Sequence, residues 1–364
     1  MNICHFGDCR ETMRLLIAEG VKVQTCVTSP PYFGLRDYGH KGQIGLEATP
    51  EEYIKKMVEV FSLVRELLSD DGTLWLNIGD SYAGSGKGGN PEGGKQSTNK
   101  GSQTVGCLYG TGKTLTETKV TNVTSKTFDG IKAKDLIGIP WMLAFALRAD
   151  GWFLRSDIIW AKKNCMPESV LDRPTRSHEY IFLLSKSSRY YYDSDAIKEP
   201  AIYDVDGTGT AARKARAHEG DKGFPTEMRN GMRPAGYKDA TKFEGKNKDK
   251  QRGHSRRHEG FNKRWDNMTK EEQCTGFRNK RDVWTVATKP YSGAHFAVFP
   301  EELIEPCILA GSRVNDIILD PFFGSGTTGQ VAQILGRQWI GCELNKNYDV
   351  LQKQRTAQTG IVFS

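Results

Sequence analysis

Ile317-Ile318-Leu319-Asp320-Pro321-Phe322-Phe323-Gly324-Ser325-Gly326-Thr327-Thr328-Gly329 is the stretch whose reading decides the fold. Its three leading apolar residues predict a short strand, Thr327 to Leu335 reads as a helix, and the glycines fall in the turn between them. Such a turn lets a ligand approach bare backbone and points a helix N-terminus at it. Further on, Trp339-Ile340-Gly341-Cys342 predicts a second strand closing on Glu343, an acidic side chain placed to accept from the two hydroxyls of a ribose. Earlier in the chain, Asn2 to Phe6 reads as a strand, Gly7-Asp8 as a turn, Glu11 to Glu19 as a helix and Val23 to Thr28 as a strand. Thr49-Pro50-Glu51-Glu52 announces a helix: Thr49 caps it, Pro50 suits the first turn and Glu52 can complete a capping box. Ile54, Met57, Phe61, Val64 and Leu68 follow at helical spacing, which reads as core packing rather than a site. Asp70-Asp71-Gly72 predicts a turn into the strand Thr73 to Ile78, which ends at Gly79-Asp80. A helix from Pro140 to Asp150 and strands at Leu154 to Trp160 and Tyr180 to Ser185 continue the alternation, which implies a largely parallel sheet covered on both faces.

The 364 residues leave ample chain for a sizeable core. Mean hydropathy is −0.55. No apolar run approaches a membrane span, and Met1-Asn2-Ile3-Cys4-His5-Phe6 lacks the basic start and apolar stretch of a signal peptide, so a cytoplasmic protein is expected. The eight cysteines never form Cys-x-x-Cys, which favours free buried thiols over a metal site. The net charge of +7 is unevenly placed: Gly207 to Arg281 holds 20 Lys/Arg against 10 Asp/Glu. A polyanion would be met there, through phosphate neutralisation. Gly84 to Gly112 contains ten glycines in 29 residues and predicts a mobile loop. It ends in Gly110-Thr111-Gly112-Lys113-Thr114, but Cys107 stands where a phosphate loop needs glycine.

Thr28-Ser29-Pro30-Pro31-Tyr32 also follows an apolar strand and lies where open parallel sheets bind ligands, beyond the strands' carboxyl ends. Two successive prolines fix the backbone and contribute no N–H, leaving rigidly aimed carbonyl acceptors. The exocyclic amine of a base is a donor that needs acceptors of this kind.

Together with the glycine turn, this motif resembles the S-adenosylmethionine-dependent DNA amino-methyltransferases in their permuted, beta-class arrangement. In that family the target-amine motif comes first, a recognition region follows and the cofactor loop comes last. Asp172-Arg173-Pro174-Thr175-Arg176-Ser177-His178-Glu179-Tyr180 and His295-Phe296-Ala297-Val298-Phe299-Pro300 extend the resemblance, while Asn164-Cys165-Met166-Pro167 departs from the family's Asn-Pro-Met-Pro. The resemblance implies an α/β, Rossmann-like methyltransferase fold, circularly permuted, with a basic target-recognition insert. Residues 1–200 would form the N-terminal part of the catalytic domain, with a flexible loop over 84–130. Residues 201–281 would recognise the target, and 282–364 would bind the cofactor.

By the same resemblance, Ser29 and the Pro30 carbonyl accept the amine hydrogens beside Pro31, Tyr32 stacks on the base, and Asp80 orients Ser29 or the amine. The cofactor S-adenosylmethionine falls to Asp8, Asp320, Pro321, Phe322, Gly324, Gly326, Thr327, Glu343 and His295, with Asp320 near its ammonium and Glu343 on its ribose. Asp8 reads equally as a helix cap. Arg173 and Arg176 are candidate phosphate contacts, or partners of Asp172 and Glu179; Arg256 and Arg257 of the basic insert are candidate DNA contacts. Duplex DNA is the implied partner, with either a cognate restriction endonuclease in a restriction-modification setting or a solitary role, no membrane, and a monomer or homodimer in a bacterial or phage-infected cell. Serine before the prolines points to cytosine N4, adenine N6 being the alternative, since family members acting on adenine more often carry aspartate there. A carbon-5 cytosine enzyme would need a cysteine nucleophile, but Pro306-Cys307 lies in the amphipathic helix Glu301 to Ala310 and reads as packing. An RNA or protein amine remains a further acceptor. A nicotinamide-dependent oxidoreductase would share the glycine turn and Glu343 but leaves Ser29-Pro30-Pro31-Tyr32 unexplained. A non-catalytic DNA-binding module explains the charge but not two ligand turns.

Overall fold

The computed structural model describes residues 1–35, 39–40, 42–84, 128–165, 167–201, 267, 277–288 and 299–357. Its strands are β1 (Asn2–Phe6), β2 (Val23–Thr28), β3 (Leu68–Ile78), β4 (Phe153–Lys162), β5 (His178–Ser185), β6 (Glu199–Pro200), β7 (Phe277–Arg278), β8 (Val283–Val286), β9 (Ile317–Asp320) and β10 (Gln338–Glu343). Eight of them form one sheet in the order β1-β10-β9-β2-β3-β5-β4-β8. Within it β5 alone runs against its neighbours. The two ends of the chain interleave, β1 beside β10 and β9 beside β2, as the permuted methyltransferase fold requires.

Helices α1 (Cys9–Ala18), α2 (Pro50–Leu67) and α3 (Ile139–Ala149) cover one face, and α4 (Glu301–Gly311) and α5 (Thr327–Ile334) the other. Successive strand residues point to opposite faces. Cys26, Leu74, Leu76, Phe182 and Leu319 therefore pack with Met13, Met57, Phe61 and Leu143. Their neighbours Val27, Trp75, Ile181, Leu183 and Ile318 pack with Leu303, Ile304, Ile308 and Val331. Each such side chain contributes about 1.5–3 kcal/mol by leaving water. Cys307 belongs to this second core, with its thiol on the Leu303 carbonyl at 3.6 Å. A last helix, α6 (Asp349–Ala357), follows β10.

Element ends match the sequence reading within a residue or two, except at two places. The turn Asp70-Asp71-Gly72 lies inside β3 as a bulge, because β2 pairs through Val23 with Leu68 and through Thr25 with Thr73. Glycine suits that bulge, since a Cβ on Gly72 would lie 2.9 Å from two carbonyl oxygens. At the start of α2, Thr49 caps the Glu52 N–H as expected, but the Glu52 carboxylate receives the N–H of Ala48 rather than that of Thr49.

The chain forms two compact units, Met1–Ile197 with Arg281–Ser364, and Lys198–Lys280. In the second, β6 pairs antiparallel with β7, and Arg278 meets Glu199 at 2.8 Å. Most of the expected mobile loop and of the basic segment, including Arg256 and Arg257, lies outside the described residues, as does His295. Among the described residues no helix is long and apolar enough to cross a membrane.

Candidate active site

Because β1, β10, β9 and β2 are adjacent and parallel, the segments leaving their carboxyl ends emerge side by side. These segments are Gly7-Asp8, Glu343-Leu344-Asn345, Pro321 to Ser325, and Ser29 to Tyr32. All of them line a single pocket, closed further by Leu35, His40, Gly42, Gln43, Ile44 and Phe299. The sheet order thus brings together two motifs that lie at opposite ends of the sequence.

Asp320 is the most constrained group in the pocket. Only 2% exposed, its carboxylate accepts from the Thr28 and Thr328 hydroxyls at 2.6 Å each and from the Phe322 N–H at 3.0 Å. Burial outweighs these hydrogen bonds and pushes its pKa up to about 6. Glu343 is likewise pushed up to about 7 by burial, although it accepts the N–H groups of Gly324 and Asn345 at 2.8 Å each. Two desolvated carboxyl groups in one pocket favour a ligand that carries positive charge.

The glycines around Phe323 have a steric reason. A Cβ on Gly341 would lie 2.4 Å from the ring's Cγ, and one on Gly329 would lie 2.6 Å from its Cζ. The ring is wedged between β10 and α5 and stacks on Trp339 at 4.8 Å. The Phe323 backbone N–H donates to the Cys342 carbonyl, and Gln352 from α6 donates to the Gly324 carbonyl at 2.7 Å. These contacts hold the turn that presents Phe322 and Gly324 to the pocket. Gly326 takes φ +90° to start α5 and faces Phe323 and Gln352. Its neighbours Ser325 and Thr327 line the pocket, and Gly326 sets the backbone turn between them.

At the other motif, Tyr53 of α2 donates to the Pro31 carbonyl at 2.9 Å. The Pro30 carbonyl has no hydrogen-bond partner among the described residues, so one of the two acceptors is spent internally and the other is left for a ligand. Helix α2 therefore supports the site as well as the core, which its apolar spacing did not reveal. The Tyr32 hydroxyl donates to Glu179 at 2.7 Å and lies 3.3 Å from the Asn77 side-chain carbonyl. Glu179 also pairs with Lys162. Burial, and then the charge of Glu179, raise the Tyr32 pKa well above its ordinary value, so the phenol stays a donor. Asn77, 4% exposed, carried a readable signal as the polar residue of an otherwise apolar strand end. Glu179 lies on β5 within the Asp172-to-Tyr180 segment, where it read only as a partner for arginine, and Lys162 ends β4 outside any motif.

Four site residues make further contacts. Asp80 does not line the pocket; its oxygens accept the N–H groups of Ser81, Gly138 and Ile139 at 2.9–3.1 Å and cap α3, whose own cap residue Gly138 has no side chain. Asp8 does face the pocket, but its carboxylate also caps α1 through the Arg10 N–H and pairs with the Arg10 guanidinium at 2.6 Å. That hydrogen-bonded guanidinium holds the Asp8 pKa below its usual value. The Thr327 hydroxyl lines the pocket while receiving Arg355, which also donates to Ser325 at 2.9 Å. Arg173 pairs with Glu168 at 2.6 Å, rather than with Asp172 or Glu179, and lies over the Tyr82 ring. Asp172 goes to Lys134, while the charge of Arg176 bears on Asp80 and His178.

Comparison with known proteins follows the same lines. The family model described as DNA methylase, for the N6 and N4 enzymes, matches residues 23–353. The chain is 43% identical over 350 residues to the type II methyltransferase M.SmaI of Serratia marcescens, covering 96% of this chain and 88% of that protein. It is 40% identical over 349 residues to M.XycI of Xanthomonas campestris pv. cyanopsidis, covering 96% and 85%. Among solved structures, PvuII DNA methyltransferase (cytosine-N4-specific) shares the fold, with TM-score 0.51, 15% identity, and coverage of 99% of this chain and 88% of that one. The chain thus belongs to the N6/N4 DNA methylase family, among its type II enzymes.

Proposed function

We propose that this DNA methyltransferase moves a methyl group from S-adenosylmethionine to the exocyclic amine of a base swung out of duplex DNA, with cytosine N4 as the acceptor. The observation that carries the reading is the single pocket lined by both Ser29-Pro30-Pro31-Tyr32 and the Asp320-to-Ser325 turn. The pocket suits the cofactor: the two buried carboxyl groups meet a cationic ligand, Phe322 offers an apolar wall, and Gly324 leaves its backbone bare. When bound, the cofactor supplies an electrophilic methyl group on a sulfonium.

The chain's residues then have to orient a weak nucleophile. The amine's lone pair is delocalised into the ring, and acceptors on its two hydrogens favour the pyramidal nitrogen that localises it. The Ser29 hydroxyl and the Pro30 carbonyl are those acceptors, and Tyr32 is the stacking surface. Orientation and fixed dipoles supply the rate in such a site. The base must leave the duplex to reach it. Residues 201–281, with Arg256 and Arg257, supply phosphate and base contacts. Ser29 in place of aspartate favours cytosine.

Incubation with tritiated S-adenosylmethionine and unmethylated genomic DNA, followed by nucleoside mass spectrometry, tests the reading. N4-methylcytosine is expected. N6-methyladenine would keep the mechanism and overturn the use made of Ser29, whereas cofactor binding without DNA label would refute transfer to DNA.

A further inference from the structure

Tyr32 is fixed from two sides by groups that do not line the pocket. Its hydroxyl is anchored to Glu179, and Glu179 is itself held by Lys162 and lies 3.4 Å from the Asn77 amide. Lys162 is steadied over the Trp160 ring at 4.6 Å, and that indole donates to the Val286 carbonyl at 2.9 Å. Asn77 is fixed from behind by the Tyr180 carbonyl at 3.1 Å. The ring itself rests on Gly79: a Cβ there would lie 2.7 Å from Cε2, 3.3 Å from Cδ2 and 3.4 Å from the Glu179 carboxyl carbon. The two supports come from neighbouring antiparallel strands, since Asn77 pairs with Ile181 across β3 and β5, and Trp160 with Glu179 across β4 and β5.

We infer that Glu179, braced by Lys162 and seated beside Gly79, is a positioning residue that sets the angle of the Tyr32 ring and hence where a flipped base stacks. The inference rests on the proposed transfer to a base amine. A carboxylate suits this task because it accepts from a phenol and an ammonium at once, one on each oxygen. Glutamine keeps an acceptor for the phenol but no charge for Lys162, so Glu179→Gln should loosen the clamp without emptying it. Glu179→Ala removes both contacts. Gly79→Ala moves the ring by a different route, through a clash, and leaves every hydrogen-bonding group in place.

The test measures single-turnover methyl transfer by the full chain from tritiated S-adenosylmethionine to unmethylated genomic DNA, beside cofactor affinity and melting temperature. Misplacing a reactant by a fraction of an ångström costs on the order of 10- to 100-fold in rate. Loss in that range is expected for Glu179→Ala, Tyr32→Phe and Gly79→Ala, with a smaller loss for Glu179→Gln and unchanged cofactor affinity in all four. If Glu179 acts through the phenol, Glu179→Ala should add little in a Tyr32→Phe background. Multiplying losses in that double variant, or equal loss of cofactor binding, would overturn the inference. So would a wild-type rate for Glu179→Ala, while leaving transfer to DNA intact; a wild type that labels no DNA would overturn both.

Discussion

Gly341→Ala tests whether the fit around Phe323 holds the cofactor turn. The added methyl would lie 2.4, 2.6 and 2.8 Å from the ring's Cγ, Cδ2 and Cδ1, too close for any real contact. The ring has nowhere to withdraw, being stacked on Trp339 and pressed on Gly329 of α5. Overpacking of this kind costs about 1–3 kcal/mol. A unit of this size loses about 2–4 °C of melting temperature per kcal/mol, so calorimetry should find a drop of roughly 2–12 °C. The Phe323 N–H is tied to Cys342, and Phe322 and Gly324 beside it line the pocket. The displaced ring should therefore also weaken binding of labelled S-adenosylmethionine in equilibrium dialysis. Phe323→Leu in the same chain makes room for the methyl and should return part of both losses. Wild-type melting and affinity for Gly341→Ala would refute the account, as would failure of Phe323→Leu to restore either.

Asp80→Ala removes the cap on α3 and should cost about 0.5–2 kcal/mol of stability, seen as a lower melting temperature, while cofactor affinity stays unchanged. The buried carboxyl groups predict opposite pH trends for stability and binding. Asp320 and Glu343 have folded pKa values raised to about 6 and about 7. The folded chain thus binds more protons than the unfolded one between roughly pH 4 and pH 7, so ligand-free stability should fall as pH rises through that window. Affinity for the cationic cofactor should rise across it, and Asp320→Asn should flatten its share of the stability curve. Glu47, 6% exposed, accepts the Gly45 N–H at 2.8 Å and pairs with Lys56 of α2 at 3.0 Å, holding the loop that carries Gly42 and Ile44 to the pocket. Glu47→Ala should weaken cofactor binding several-fold. Lys56→Ala should do less, because a half-exposed pair contributes at most about 1 kcal/mol.

The periodic elements and both ligand turns were legible in the chain, because each depends on local chemistry. Apolar runs of three to six residues become strands, prolines and glycines mark the turns, and Thr49 with Pro50 starts a helix wherever the rest of the molecule lies. The order of the motifs carried the permuted fold. Tertiary structure decided which polar groups act on the pocket and which hold it together. Asp80 and Asp8 both follow a strand in a Gly-Asp pair, yet one is used up capping a helix that begins 59 residues later, and the other caps the helix beside it while facing the pocket. Tyr53 lies beside the apolar stripe of α2 and carried no reading of its own, and Glu179 read as a partner for arginine. Their hydroxyl and carboxylate reach Pro31 and Tyr32 because sheet order, which no local pattern encodes, sets those strands and helices side by side. A hydrogen bond between distant residues forms only where packing has already brought them together.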